Sequence, residues 1–262
     1  YNTVLGRTEY RSSKDASNRF TKVGRYEINS LRRKLDSDVG IITSSDNLYS
    51  IIESSFSPRI NPIQEYFKAL PTVDASEVLY KIEINQCAIA NLASCVTVRN
   101  SEKWLPYLTK WLVAVVANAM DDRECRNHTC LVLTGEQGKF KTTFLDLLCP
   151  SALHGYSYTG KIYPQEKDTL TYIGQNLIVN IDDLLKALNK RDENELKNLI
   201  TCPMVKYRMP YDKYVEEYPH LASFVASVNG NDFLTDPTGS RRFLPFEVLA
   251  IDIERAKAIS MD

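Results

Sequence analysis

The sequence predicts an α/β fold in which a mostly parallel sheet is flanked by helices, preceded by a helical block and a small N-terminal β/α segment. Three observations carry that expectation. From residue 130 onward, short apolar runs alternate with stretches of helical spacing, the pattern of strands joined by crossover helices. Residues 63–122 keep helical spacing almost throughout. The 262-residue chain is 44% hydrophobic and 25% charged, the balance of an ordinary globular protein with a buried core.

Taken in order, residues 1–5 with Gly6, then 8–11, suggest a hairpin, and residues 27–35 have helical spacing. The run Phe56-Ser-Pro-Arg-Ile-Asn-Pro62 is a connector, because each proline disfavours helix in the residue before it. Pro62 suits a first helical turn, and residues 101–104 open a long apolar helix running to Met120. Strands are expected at 130–134, 176–181, 221–228 and 242–248, with helices at 142–148 and across 184–200. The expected domains are therefore a basic strand and helix segment at 1–55, a helical domain at 56–125, and an α/β core at 126–262 with its C-terminal part cut short. A start at Tyr1, without Met, fits a piece excised from a longer chain.

Composition excludes several classes. The longest apolar run, residues 111–120, is well below the roughly 18 residues of a membrane span and carries Asn118. The six cysteines lack the paired spacing of a disulfide framework, which fits a reducing cytoplasm. Cys125, His128 and Cys130 stand close enough to suggest a metal, but no second ligand pair accompanies them and Cys130 opens an apolar strand. A net charge of −1 argues against a protein that coats nucleic acid, although residues 1–34 hold nine basic residues against three acidic ones and could lie along phosphates.

The chemistry concentrates in Cys130-Leu-Val-Leu-Thr-Gly135-Glu136-Gln137-Gly138-Lys139-Phe140-Lys141-Thr142-Thr143. A strand feeding a glycine-bearing turn that ends in Lys-Thr places backbone N–H groups, an ammonium and a helix start around the phosphates of a nucleotide. Lys141 would reach the outer phosphates and Thr142 would offer its hydroxyl to Mg²⁺. Phe140 stands where this pattern has its second glycine, and a Cβ there is expected to crowd the approach to phosphate. Downstream, an apolar strand ends in Asp182 and Asp183, one suited to the metal and the next to orienting an attacking water. A third strand ends at Asn229, able to hydrogen-bond phosphate or water, and a turn-rich loop then closes on Arg241 and Arg242, able to neutralise charge on a transferred phosphoryl group.

The phosphate loop, the strand ending Asp182-Asp183, and above all Ser227-Val-Asn229 followed by Asp232-Phe-Leu-Thr-Asp-Pro-Thr-Gly-Ser-Arg-Arg-Phe243, resemble the ATPase domain of virulence-associated protein E. That family is related to superfamily 3 helicases and AAA+ ATPases, and occurs in replication proteins of phages and mobile elements. The resemblance implies a P-loop NTPase fold, ATP and Mg²⁺ as cofactors, Lys141 and Thr142 as the Walker A pair, Asp182 and Asp183 as Walker B, Asn229 as sensor, and Arg241 or Arg242 as arginine finger. It also implies a homo-oligomeric ring and single-stranded DNA or a DNA fork as partner. Between Walker B and the sensor such helicases carry a hairpin into the central channel. Here Lys206, Arg208 and Lys213 interleave with Tyr207, Tyr211 and Tyr214, suited to charge and stacking on a single strand or, equally, to packing a strand. A non-hydrolysing nucleotide-binding scaffold and a P-loop kinase of a small molecule share the same loop and stay open at this stage.

Overall fold

Two compact units make up the chain, Tyr1–Ala69 and Leu70–Asp262. The computed structural model describes residues 1–11, 20–72, 74, 76, 87–182, 190–209, 212–230 and 240–259.

In the first unit the N-terminal hairpin takes a different form from the expected one. Asn2 is buried, and its Oδ1 accepts from the N–H groups of Val4 and Leu5, both at 3.0 Å, which curls the chain into a turn closed by a bridge between Asn2 and Arg7. The antiparallel pairing then falls to β1 (Glu9–Tyr10) and β2 (Thr21–Lys22). Helix α1 (Arg25–Val39) is longer than its apolar spacing suggested because both ends are fixed by local chemistry. Glu27 accepts from the Gly24 N–H at 2.9 Å, and Gly40, at φ 70°, lets its own N–H reach Asp36 O while that of Ile41 reaches Leu35 O. Ser44 caps α2 (Ser45–Ile52) through the N–H of Asn47. Pro62 occupies the first turn of α3 (Pro62–Ala69), where its missing N–H costs nothing.

The second unit opens with α4 (Ala88–Ala93), β3 (Val96–Val98) and α5 (Ser101–Met120). The helical block expected over residues 63–122 is therefore interrupted by a strand. Val96 and Val98 are β-branched and buried, and their segment finds an antiparallel partner in residues 248–251. Along α5, Trp104, Leu108, Trp111, Val115 and Ala119 form one buried stripe at helical spacing. Asn118 in the same stripe donates to His220 O and Leu221 O and accepts from the N–H of Arg126, so its polar atoms are satisfied without water.

The remaining elements are β4 (Cys130–Gly135), α6 (Lys141–Asp146), β5 (Ser157–Gly160), α7 (Lys167–Gln175), β6 (Ile178–Asp182), α8 (Lys190–Thr201), β7 (Met204–Tyr207), β8 (Glu216–Pro219), β9 (Ser223–Asn229), β10 (Phe243–Ile251) and α9 (Ile253–Lys257). Six strands form one sheet in the order β3-β10-β4-β9-β6-β5, with β3 antiparallel and the other five parallel. Every residue of β4 is buried, as expected for the centre of a sheet covered on both faces. Strands β7 and β8 form a separate antiparallel hairpin leading into β9. One contiguous core joins Val132, Ile173, Val179, Ile181, Leu196, Phe224 and Val228.

Candidate phosphate-binding site

Parallel strands open all their carboxyl ends on one side of the sheet, and β4 ends there between β9 and β10. Gly135 stands directly beside Asn229 in the pairing of β4 with β9. Its φ is 134°, and a Cβ built on it would come within 2.7 Å of Val248 O, so only glycine fits. Gly138 follows at φ 82°, in space that is open around it.

Phe140 carries a constraint of backbone handedness. It adopts φ 57° and ψ 23°, the sole left-handed residue other than glycine among the described residues, while its ring is 54% exposed. A bulky side chain in that conformation costs about 1–2 kcal/mol.

Lys141 is 6% exposed, and its Nζ donates to Gly135 O at 3.1 Å, Glu136 O at 2.7 Å and Asn229 Oδ1 at 3.1 Å. An ammonium has three protons and no acceptor, so these three bonds fix its position between the loop and β9. Thr142 lies 2.9 Å from Ser227, hydroxyl to hydroxyl. Ser227 and Asn229 are two apart on β9 and therefore face the same way. Gln137, Gly138, Lys139, Phe140, Lys141, Thr142, Thr143, Ser227 and Asn229 line a cavity of about 240 Å³. Hydroxyl oxygens are hard donors of the type magnesium takes, and a buried ammonium beside them suits a polyphosphate, so the residues present fit both groups.

Around this centre, Asp182 ends β6 in register with Ser227, one strand away from the loop. Asp183 and residues 231–239 lie outside the described residues. Asp146, at the end of α6, accepts from Thr159 and Asn180, each at 2.7 Å, which ties the loop helix to β5 and β6. Arg241 and Arg242 sit in a short turn just before β10, where Phe243 pairs with Cys130 at the start of β4. They are at the amino edge of the sheet, about 17 Å from Gly135 for five residue steps along a strand. Within one chain the fold therefore does not bring them to the loop.

The hairpin separates the residues that sequence had grouped. Tyr207 is buried, stacks on Tyr218 at 4.3 Å, and packs over Gly174, where any Cβ would strike its ring. Lys206, Arg208 and Lys213 are exposed, with Lys206 paired to Glu217 at 3.6 Å, and Tyr214 at the tip is 74% exposed; Tyr211 lies outside the described residues.

All six cysteines are free thiols. Burial pushes the Cys130 thiol far up, Cys149 up to about 12 and Cys125 up to about 11, so none of the three is a thiolate at neutral pH. Among the described residues no group of three or more His, Cys, Asp or Glu side chains is placed to hold a metal, and no helix is long and apolar enough to cross a membrane. Sequence reasoning missed the partnership of Ser227 with Thr142, although the two-residue spacing to Asn229 was a usable signal.

No curated protein matches the chain. Among solved structures, the apo structure of the NrS-1 C terminal region (305-718) is similar with a TM-score of 0.54 and 16% identity, over 99% of this chain and 62% of that one. An A form apo structure of the same region gives a TM-score of 0.53 at 16% identity, over 99% and 61%. The chain thus spans less than two thirds of the region it resembles, and at this identity the likeness establishes the fold. Residues 84–261, which include the whole sheet, match the Virulence-associated protein E-like domain, and the chain belongs to that family.

Proposed function

We propose that the chain is a magnesium-dependent, helicase-like ATPase that couples hydrolysis to nucleic-acid remodelling in the replication of a phage or mobile element. One observation supports this most: the buried Lys141 ammonium, held by Gly135 O, Glu136 O and Asn229 Oδ1 beside a cavity lined by hydroxyls. An ammonium held by two carbonyls and an amide can exchange one acceptor for a phosphate oxygen without moving out of the loop, and the charged acceptor makes the stronger bond.

In this reading Gly135 and Gly138 let the loop wrap the polyphosphate, and Lys141 binds its outer oxygens. Thr142 and Asp182 hold Mg²⁺, which supplies charge neutralisation on the phosphates when bound. Asp183 accepts a proton from the attacking water, and Asn229 helps to orient that water. Because Arg241 and Arg242 lie at the far edge of the sheet, either one reaches a phosphate only on a neighbouring copy, which a ring of subunits would provide. The exposed Lys206, Arg208 and Lys213, with Tyr214 at the hairpin tip, form a surface for single-stranded DNA by charge and stacking.

The test is phosphate release with and without single-stranded DNA for wild type, Lys141→Ala and Asp183→Asn. Stimulation by DNA in wild type and a loss of at least about a hundredfold in both variants is the expected result. Undiminished turnover in the variants overturns it. The left-handed Phe140 favours one rival, a scaffold in which nucleotide binds without being cleaved; ATP binding with no release at any DNA concentration establishes that instead.

A further inference from the structure

Helix α1 carries more positive charge than its fold uses. Arg25, Arg32, Arg33 and Lys34 are all exposed, and none of them makes an ion pair among the described residues. Asp36 and Asp38 follow Arg32 and Lys34 at the four-residue spacing of a helix ion pair, yet no such pair forms. The layout also runs against the helix dipole, with Arg25 in the first turn, both aspartates near the end, and no basic residue in the last turn to offset them. Glu27 alone has a local task, accepting from the Gly24 N–H at 2.9 Å. Charges set against the stability of their own helix mark a surface shaped by something other than folding.

Their placement around the helix is ordered. On the side opposite the buried Ile28, Tyr26, Asn29, Arg33 and Ser37 form one exposed row at helical spacing, and Tyr26 is 79% exposed. At about 100° per residue, Arg25 and Arg32 flank that row on one side and Lys34 flanks it on the other. An α-helix is about 10–12 Å across, and a B-form major groove is about 12 Å wide between two walls of phosphates.

We propose that α1 docks in the major groove of double-stranded DNA, with Arg25 and Arg32 on the phosphates of one wall, Lys34 on those of the other, and Asn29 and Arg33 toward the base edges. The partner is a duplex, because a single strand offers one row of phosphates to cations held on opposite sides of a rigid helix. It is DNA, because the major groove of an RNA duplex is too deep and narrow to admit the helix. Asn29 Oδ1 accepts from the Ser45 hydroxyl at 3.0 Å, which leaves Nδ2 as a donor to acceptor atoms on the bases. Asp36 and Asp38 would meet phosphate if the whole helix lay along the groove, so it enters by its N-terminal end, as a recognition helix does. Tyr26, at that end, brings a hydroxyl donor for a phosphate oxygen. No residue of the phosphate loop or of the β7–β8 hairpin takes part.

Fluorescence anisotropy of the full 262-residue chain tests it, with a labelled DNA duplex of about 20 base pairs, the RNA duplex of the same sequence, and the separate DNA strands. Wild type is expected to bind the DNA duplex at least tenfold tighter than the RNA duplex. Arg32→Glu combined with Arg33→Glu should weaken the DNA duplex at least tenfold and flatten its salt dependence, while single strands lose no more than about twofold. Asp36→Asn combined with Asp38→Asn should tighten the DNA duplex about threefold, a gain that a damaged fold cannot produce. Absence of duplex binding, equal affinity for the two duplexes, an arginine variant that binds duplex DNA as wild type does, or one that loses single strands equally, overturns the groove assignment. None of these outcomes bears on phosphate release by the loop, so this inference and the ATPase reading fail separately.

Discussion

The phosphate loop and the β7–β8 hairpin carry similar residue types, lysines set among aromatics and small polar groups, yet the fold treats them in opposite ways. The loop is anchored on three strands: Gly135 pairs with Asn229, Val248 presses on Gly135, and Lys141 is drawn back onto the loop and β9. The hairpin is held by one face only, where Val205, Tyr207 and Tyr218 pack inward, and its lysines extend into solvent. A cation that the fold fixes in place can do geometry-dependent work. A cation left exposed can contribute charge and little else, at an energetic scale of tenths of a kcal/mol.

Four tests bear on that contrast. The largest effect is expected within the hairpin itself. Tyr207→Ala should lower stability by about 3–4 kcal/mol because a buried ring over Gly174 is removed, whereas Tyr214→Ala should stay within about 0.5 kcal/mol. Equal losses in urea denaturation would erase the distinction between the two faces.

Next comes His220, at the foot of the hairpin. Burial pulls it down to about 4 from its ordinary 6.5, despite carbonyls of Cys202 and Ala222 at 2.8 and 2.9 Å that favour the charged form. The unfolded chain takes up a proton between those two values that the folded chain refuses. Stability is thus present above pH 6.5 and lost as pH falls toward 4, by up to about 3 kcal/mol. Melting temperatures of wild type and His220→Gln across that window should converge at low pH; parallel curves would show that the ring is not the source.

Phe140→Gly tests how firmly the loop is imposed on its sequence. Relief of the left-handed backbone should stabilise the fold by up to about 1 kcal/mol, partly offset by glycine's greater freedom when unfolded. A destabilised variant would mean that the exposed ring contributes contacts worth more than the strain. The smallest change in stability, within about 0.5 kcal/mol, is expected for Lys206→Glu combined with Lys213→Glu. That double variant should still lose salt-sensitive binding of single-stranded DNA in fluorescence anisotropy, and undiminished binding would remove the hairpin from the DNA-binding surface.

The same contrast explains how much could be read beforehand. The strands β4, β6, β9 and β10, the helix α5 and the glycines of the loop were legible because their signals are local and repeated: long apolar runs, one buried stripe, a turn that needs particular residues. Val96-Thr-Val98 was not, since three residues of β-branched character inside helical surroundings become a strand only through residues 248–251, far along the chain. Alternation of lysine and tyrosine in 206–214 reads identically for a packed strand and a binding face, and only burial separated Tyr207 from Tyr214. The handedness of Phe140 is a case of tertiary structure overriding local preference.

The position of β4 has a consequence for how the protein is made. Its two neighbours, β9 and β10, are the last strands of the sheet to leave the ribosome, and each joins it in parallel through a long crossover. Until residues 223–229 emerge, Lys141 lacks Asn229, and until 243–251 follow, Gly135 has no wall behind it. A nascent chain therefore carries the whole loop motif long before it carries a loop in working shape, and competence waits until residue 251 has emerged.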